Sequence, residues 1–225
     1  MTIRRQPKSF TKAIFPYFAL LMLAHSAWAE DSSGVTLPRY NDKYSAFVGQ
    51  LEGGETNINY TEFRESFLES QQFKSAGTQS PDLSTLRKQM RELMRQAKYA
   101  EIINLTKRML SIDYTDMEAH KILQQTYKIL GDMPNSQKYH DIEFGLLNSI
   151  MRKGDGRTCE SAWPVIQINE EYFILQMLGA KLQKQSMENS GRACDKMEVQ
   201  TDQGTKVYYF EISKIFKGYN KQGIH

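Results

Sequence analysis

Cysteine is scarce in this chain: Cys159 and Cys194 are the only two among 225 residues. No Cys-x-x-Cys pair is present, which excludes a dithiol redox centre of the usual spacing. Histidine is almost as rare, with four residues: His25, His120, His140 and the terminal His225. None stands in a His-x-x-x-His pair or beside a cysteine, so a zinc site of ordinary spacing is not encoded. There is no Gly-x-Ser-x-Gly, no phosphate loop and no Gly-x-Gly-x-x-Gly. Gly154-Asp155-Gly156 lacks the acidic ladder of a calcium loop and reads as a turn. The sequence therefore implies no metal, no cofactor and no assigned catalytic residue.

Long apolar runs are also few. The run from Ala13 to Leu23 carries Pro16 and falls short of the roughly 20 residues that span a bilayer. Its setting explains it. Arg4, Arg5, Lys8 and Lys12 precede it, and Ala27-Trp28-Ala29 follows, a small-x-small site ahead of Glu30. Residues 1–29 read as an export signal cleaved between Ala29 and Glu30, which places the rest in the periplasm or outside the cell. No cysteine lies near that site to carry a lipid, and no stable membrane anchor is expected after cleavage.

Cleavage changes the charge. The whole chain holds 29 Lys and Arg against 26 Asp and Glu. The leader takes four basic residues and no acidic one, so the net charge moves from +3 to −1. A near-neutral surface has no field to collect a polyanion, and no nucleic-acid partner is expected. In an oxidising compartment the pair Cys159 and Cys194 reads as a disulfide. The alternative is two separate buried thiols.

Residues 30–42 are polar and read as a disordered lead-in. A short helix is predicted over Tyr44–Leu51, stopping at Gly53-Gly54. A second is capped by Thr61 and carries Phe63, Phe67 and Leu68 on its apolar face. Residues 75–82 read as a loop, with Asp82 as the next cap. Leu83, Leu86, Met90, Leu93 and Met94 then recur at helical spacing, and a break at Lys98-Tyr99 leads to a helix through Ile112. Thr115 and Glu118 fit a capping box for a third helix, which ends at Gly131. Asn135 or Ser136 opens a fourth, through Ile150. Tyr99 and Met133 are 34 residues apart, as are Ile102 and Ser136. That is the tetratricopeptide period, one helix-turn-helix per repeat. Ala119, Leu123, Tyr127 and Gly131-Asp132 resemble its packing ladder. Two such pairs are fewer than a solenoid needs, so the C-terminal region is expected to cap them.

After Ile150 the pattern changes. Val165, Ile166 and Ile168 alternate with polar neighbours as in a strand. Residues 171–187 are mixed, with Leu175, Leu178 and Leu182 at helix-like spacing. Residues 194–199 and 206–212 read as an antiparallel hairpin around Gln203-Gly204. Ser213 can cap a last helix that turns Ile215, Phe216 and Tyr219 inward. The fold class is α+β: tetratricopeptide-like antiparallel helix pairs over 43–150, packed as one compact unit against a small α+β part over 151–225.

The run GDG-x-T-x-E-x-A-x-x-V-I from Gly154 to Ile166, Glu171-Tyr172, Leu178-Gly179, Gly191 with Cys194-Asp195, and Tyr209-Phe210-x-Ile212-Ser213 resemble a bacterial family of exported proteins catalogued as domain of unknown function 4919. The resemblance covers roughly Tyr44 to Lys221. It implies a signal peptide, a tetratricopeptide-type helix pair and a C-terminal α+β part. It implies no activity, cofactor or catalytic residue.

The expectation is a non-catalytic interaction module that binds a protein or peptide. Lys121, Gln124, Gln125 and Lys128 share one face of the third helix and would supply its polar contacts. One alternative is a hydrolase of an envelope polymer, using Asp155, Glu160, Glu170 and Glu171 if they converge. Another is a structural envelope protein without a discrete site. Tyr208-Tyr209-Phe210 and Tyr172-Phe173 could form a stacking platform for a ligand, but alternation along a strand suits core packing better.

Overall fold

In the computed structural model, which describes residues 34–189 and 191–222, two helix pairs recur at a 34-residue interval. The helices are α1 (Lys43–Glu52), α2 (Tyr60–Glu69), α3 (Gln71–Thr78), α4 (Ser80–Arg95), α5 (Tyr99–Ile112), α6 (Met117–Leu130) and α7 (Met133–Met151). The pairs are α4–α5 and α6–α7, and the interval extends to single hydrogen bonds. Ala97 N–H donates to Met94 O, and Lys98 N–H to Leu93 O. Thirty-four residues on, Gly131 N–H donates to Lys128 O, and Asp132 N–H to Tyr127 O. Both turns place a residue just past the helix in the left-handed region, Ala97 at φ 52° and Gly131 at φ 78°. Glycine adopts this freely, whereas alanine pays a steric cost there.

The second pair holds together through Tyr127 and Tyr139, whose rings stack with centroids 5.8 Å apart. Ser136 stands where a repeat would carry alanine. Its buried hydroxyl donates to Gln124 O at 3.0 Å, so the polar atom is satisfied.

Two pairs do not stand alone, and both flanks close them. Tyr44 in α1 stacks on Phe63 in α2 and accepts a hydrogen bond from Tyr114 N–H at 2.9 Å. Glu52 accepts from Tyr114 Oη at 2.6 Å, Tyr139 Oη at 3.3 Å and Lys138 Nζ at 2.9 Å. The N-terminal helices thus cap the pairs alongside the C-terminal region.

That region contains β1 (Trp163–Pro164), α8 (Ile168–Met177), β2 (Lys181–Asn189), β3 (Ala193–Thr201), β4 (Gly204–Glu211) and α9 (Ser213–Gln222). The sheet order is β1-β4-β3-β2. β1 runs parallel to β4, and the other neighbours are antiparallel. The hairpin turns at Asp202-Gln203, between the paired Thr201 and Gly204. One hydrophobic core runs from Val35 through the helices to Ile215, and the described residues belong to one compact unit. The architecture is α+β.

Several local expectations are corrected. Residues 34–42 are held: Val35 is buried in the core and Thr36 N–H donates to Ser111 Oγ at 2.8 Å. Residues 75–82 are mostly helical, because Phe73 and Ala76 anchor α3 in the core and Pro81 suits the first turn of α4. Asp82 lies inside that turn rather than capping it. Asn59, not Thr61, caps α2. Asp116 caps α6 through Ala119 N–H, while the Thr115 hydroxyl donates to Asp113. Asp132 caps α7, which therefore starts before Asn135. Val165 and Ile166 are buried but lie past β1, and Ile168 opens α8. Leu182 belongs to β2, since Gly179 at φ 62° ends the helix. Phe216 is exposed, and the side chain of Tyr219 lies outside the described residues, as do 30–33 and His225.

Candidate functional site

The face predicted for partner binding lies on α6, whose Asp116 cap and Gly131 stop fix its ends. Lys121, Gln124, Gln125 and Lys128 share that face, as their spacing requires. Gln125 and Lys128 are exposed, Gln124 is half-buried, and Lys121 is turned onto α8. Its ammonium sits 5.6 Å from the centroid of the Phe173 ring and against the sulfur of Met177. α8 therefore lies across one end of the face.

A hollow of about 250 Å³ opens between α4, the start of α6 and α8. Arg87, Asp116, Met117 and Glu118 form one wall, and Asn169, Glu170, Tyr172, Phe173 and Gln176 the other. Arg87 is fixed between the carboxylates of Asp116 and Glu118, which ties α4 to α6. Arg87 and Lys121 are equivalent positions of the two repeats, 34 residues apart. The Oδ1 of Asn169 is buried and accepts no hydrogen bond from the described residues. None of Lys121, Gln124, Gln125 and Lys128 lines the hollow itself, and sequence reasoning missed the α8 wall, because the spacing of α8 gave no clear period.

The acidic residues weighed for hydrolysis are not gathered into one cleft. Asp155 is exposed in the Gly154–Gly156 turn and accepts from Ser161 Oγ at 2.6 Å and Arg157 N–H at 3.0 Å. These donors hold its carboxyl below the usual range. It lines a different hollow, with Trp163 and Tyr208. Glu160 is exposed. Glu170 is engaged by Arg64. Glu171 is fully buried, and burial, with Asp195 and Glu170 nearby, pushes its pKa up to about 9. Among the described residues neither of its oxygens has a hydrogen-bond partner, and the nearby Asp195 carboxyl favours its protonated form. Asp195 accepts in turn from Gln185 Nε2 at 2.7 Å. This buried acid is a packing element without an opening among the described hollows.

The Gly-Asp-Gly turn is likewise a docking loop. Gly154 O accepts from Trp163 Nε1 at 3.0 Å, and Gly156 O from Tyr209 N–H at 2.8 Å. A Cβ on Gly156 would come within 2.7 Å of the Trp163 ring. Cys159 and Cys194 are joined, with Cα atoms 5.9 Å apart, and pin this loop to β3. Of the aromatic stretches, Phe210 and Phe173 are core, Tyr208 packs on Trp163, and Tyr172 stays 46% exposed at the hollow.

His120 and His140 do not meet. His120 is buried with Nε2 2.7 Å from Tyr114 O, and burial lowers its pKa to about 4. His140 stacks on Phe144. Among the described residues no group of three or more His, Cys, Asp or Glu could hold a metal ion, and no helix is long and apolar enough to cross a membrane.

These features define a class: an α+β protein in which two tetratricopeptide-like helix pairs carry a small disulfide-pinned sheet and helix on one side. The family model described as Domain of unknown function (DUF4919) matches residues 41–221, and the chain belongs to that family. No curated protein and no solved structure matches it.

Proposed function

We propose that this is an exported, non-catalytic interaction module that holds a peptide segment of a partner protein along the α4–α6 face, against α8. The observation that carries the reading is the hollow between Arg87, Asp116 and Glu118 on one side and Asn169, Tyr172 and Phe173 on the other. The exposed Gln125 and Lys128 lie farther along the same helix, α6. The face offers what peptide recognition uses: an apolar wall, fixed charges and an acceptor without a donor. Arg91 and Met94 on α4 and Lys128 on α6 are all exposed. They suit a segment with acidic and apolar side chains.

The leader at residues 1–29 and the joined cysteines support export to the periplasm or beyond. N-terminal sequencing of the exported protein is expected to start at Glu30; a start at Met1 would contradict the leader. The interaction reading is tested by capture from envelope extracts under mild crosslinking. The unchanged protein is expected to hold a defined partner that Lys128→Glu and Gln125→Glu lose while folding normally. A partner held equally by both variants, or none at all, would overturn it.

A further inference from the structure

We propose that the outer edge of β2 pairs with the same edge of a second copy of this chain, antiparallel about a two-fold axis at Ser186. The proposal does not rest on the peptide-binding reading. β2 is the last strand of the sheet, and its other side faces no strand among the described residues. Seven of its nine residues are exposed. On such an edge every second residue turns its N–H and C=O outward, a template that another strand can complete. The register against β3 is regular from Lys184 to Asn189, so this segment is straight enough to pair; the irregularity between Leu182 and Lys184 ends it on one side.

The side chains select the partner. In an antiparallel pair centred on Ser186, Lys184 stands opposite the partner's Glu188, and Glu188 opposite the partner's Lys184. Both lie on the face of the strand away from α8. The Lys184 side chain is 68% exposed, and among the described residues its ion-pair partner is the half-buried Glu198, at 4.0 Å. On the other face Met187 is 62% exposed and would cover Gln185 of the other copy. Tyr172 of α8 stands beside that contact, with its hydroxyl 3.1 Å from Gln185 Oε1. An edge with one lysine and one glutamate equally spaced about its centre is complementary to itself. A closed two-fold pair also leaves no further edge at β2, so it does not propagate.

Charge reversal tests this. Sedimentation velocity over a dilution series of the purified protein is expected to show a dimer in exchange with monomer. Lys184→Glu and Glu188→Lys each set like charges opposite at two symmetric places, and each is expected to weaken the dimer by about tenfold or more. The double reversal restores opposite charges and is expected to recover it. Hydrogen exchange of the β2 amides provides a second readout, with protection that grows with protein concentration. A protein monomeric at every concentration would overturn the proposal. So would a dimer indifferent to the single reversals, one not recovered by the double reversal, or β2 amides protected only when a different protein binds.

Discussion

Arg64 in α2 and Glu170 in α8, separated by 106 residues, form a two-pronged buried ion pair, with Nε to Oε1 at 2.8 Å and Nη2 to Oε2 at 2.6 Å. The same guanidinium donates to Pro164 O at 3.1 Å and Ser149 Oγ at 3.3 Å, and Glu170 also accepts from Ile166 N–H at 2.8 Å. One pair thus joins α2, α7, β1 and α8, and it sets where α8 meets the helical face. Removing one partner leaves the other charged and buried. Arg64→Met or Glu170→Gln is expected to cost about 3–5 kcal/mol, read by urea unfolding. The double variant Arg64→Met/Glu170→Leu is expected to lose clearly less than the two single losses added.

Glu171 gives the fold a pH dependence. Its folded pKa is near 9, against an unfolded value near 4.5. The folded state keeps the proton while the unfolded chain releases it, so this contribution is full below about pH 4.5 and is lost as pH rises toward 9. Glu171→Gln mimics the protonated form. The variant is expected to be more stable than the natural protein at pH 8 and to show a flatter stability profile between pH 5 and 9, followed by thermal unfolding.

His120 acts at the other end of the scale. Its folded pKa is about 4, below the ordinary 6.5. The unfolded chain takes up a proton first, so stability falls as pH drops from about 6.5 toward 4. Chemical unfolding at pH 7 and pH 5 is expected to show this loss.

Ala97 is a strained copy of Gly131. Both close a repeat's first helix with the same two hydrogen bonds, yet only one is a glycine. Ala97→Gly is expected to stabilise by about 1 kcal/mol, measured by thermal unfolding. Gly156→Ala is expected to destabilise by more than that, through its left-handed backbone (φ 67°) and the Trp163 ring.

Much of the helical half was legible in the sequence. The 34-residue interval, the Gly131 stop and the amphipathic spacing of α4 to α6 come from local chemistry, and local chemistry survives into the fold. The hairpin was legible for the same reason, through a tight turn between alternating strands. What sequence missed depended on distance. Asp116 outcompeted Thr115 as a cap because Thr115 is engaged by Asp113 and Gln167. The short β1 exists only because β4 lies beside it, and α8 shows no clear period because Ile168, Tyr172 and Met177 are exposed while Glu170 and Glu171 are buried. The site followed the same division. Spacing on one helix put Lys121, Gln124, Gln125 and Lys128 on a common face, but the hollow is lined by Asp116, Met117 and Glu118 of that segment, and Asn169, Tyr172 and Phe173 needed the fold to bring them opposite. Glu170 and Glu171 were noticed as acids, but nothing local told one as Arg64's partner and the other as a buried neutral carboxyl.

The most direct test of the central claim is site-specific photo-crosslinking in living cells, with a photoreactive residue at Gln125, at Lys128, or at Lys206 on the sheet. The account predicts one discrete adduct from Gln125 and Lys128 and none from Lys206. Equal adducts from all three positions, or none from the α6 face, would contradict it.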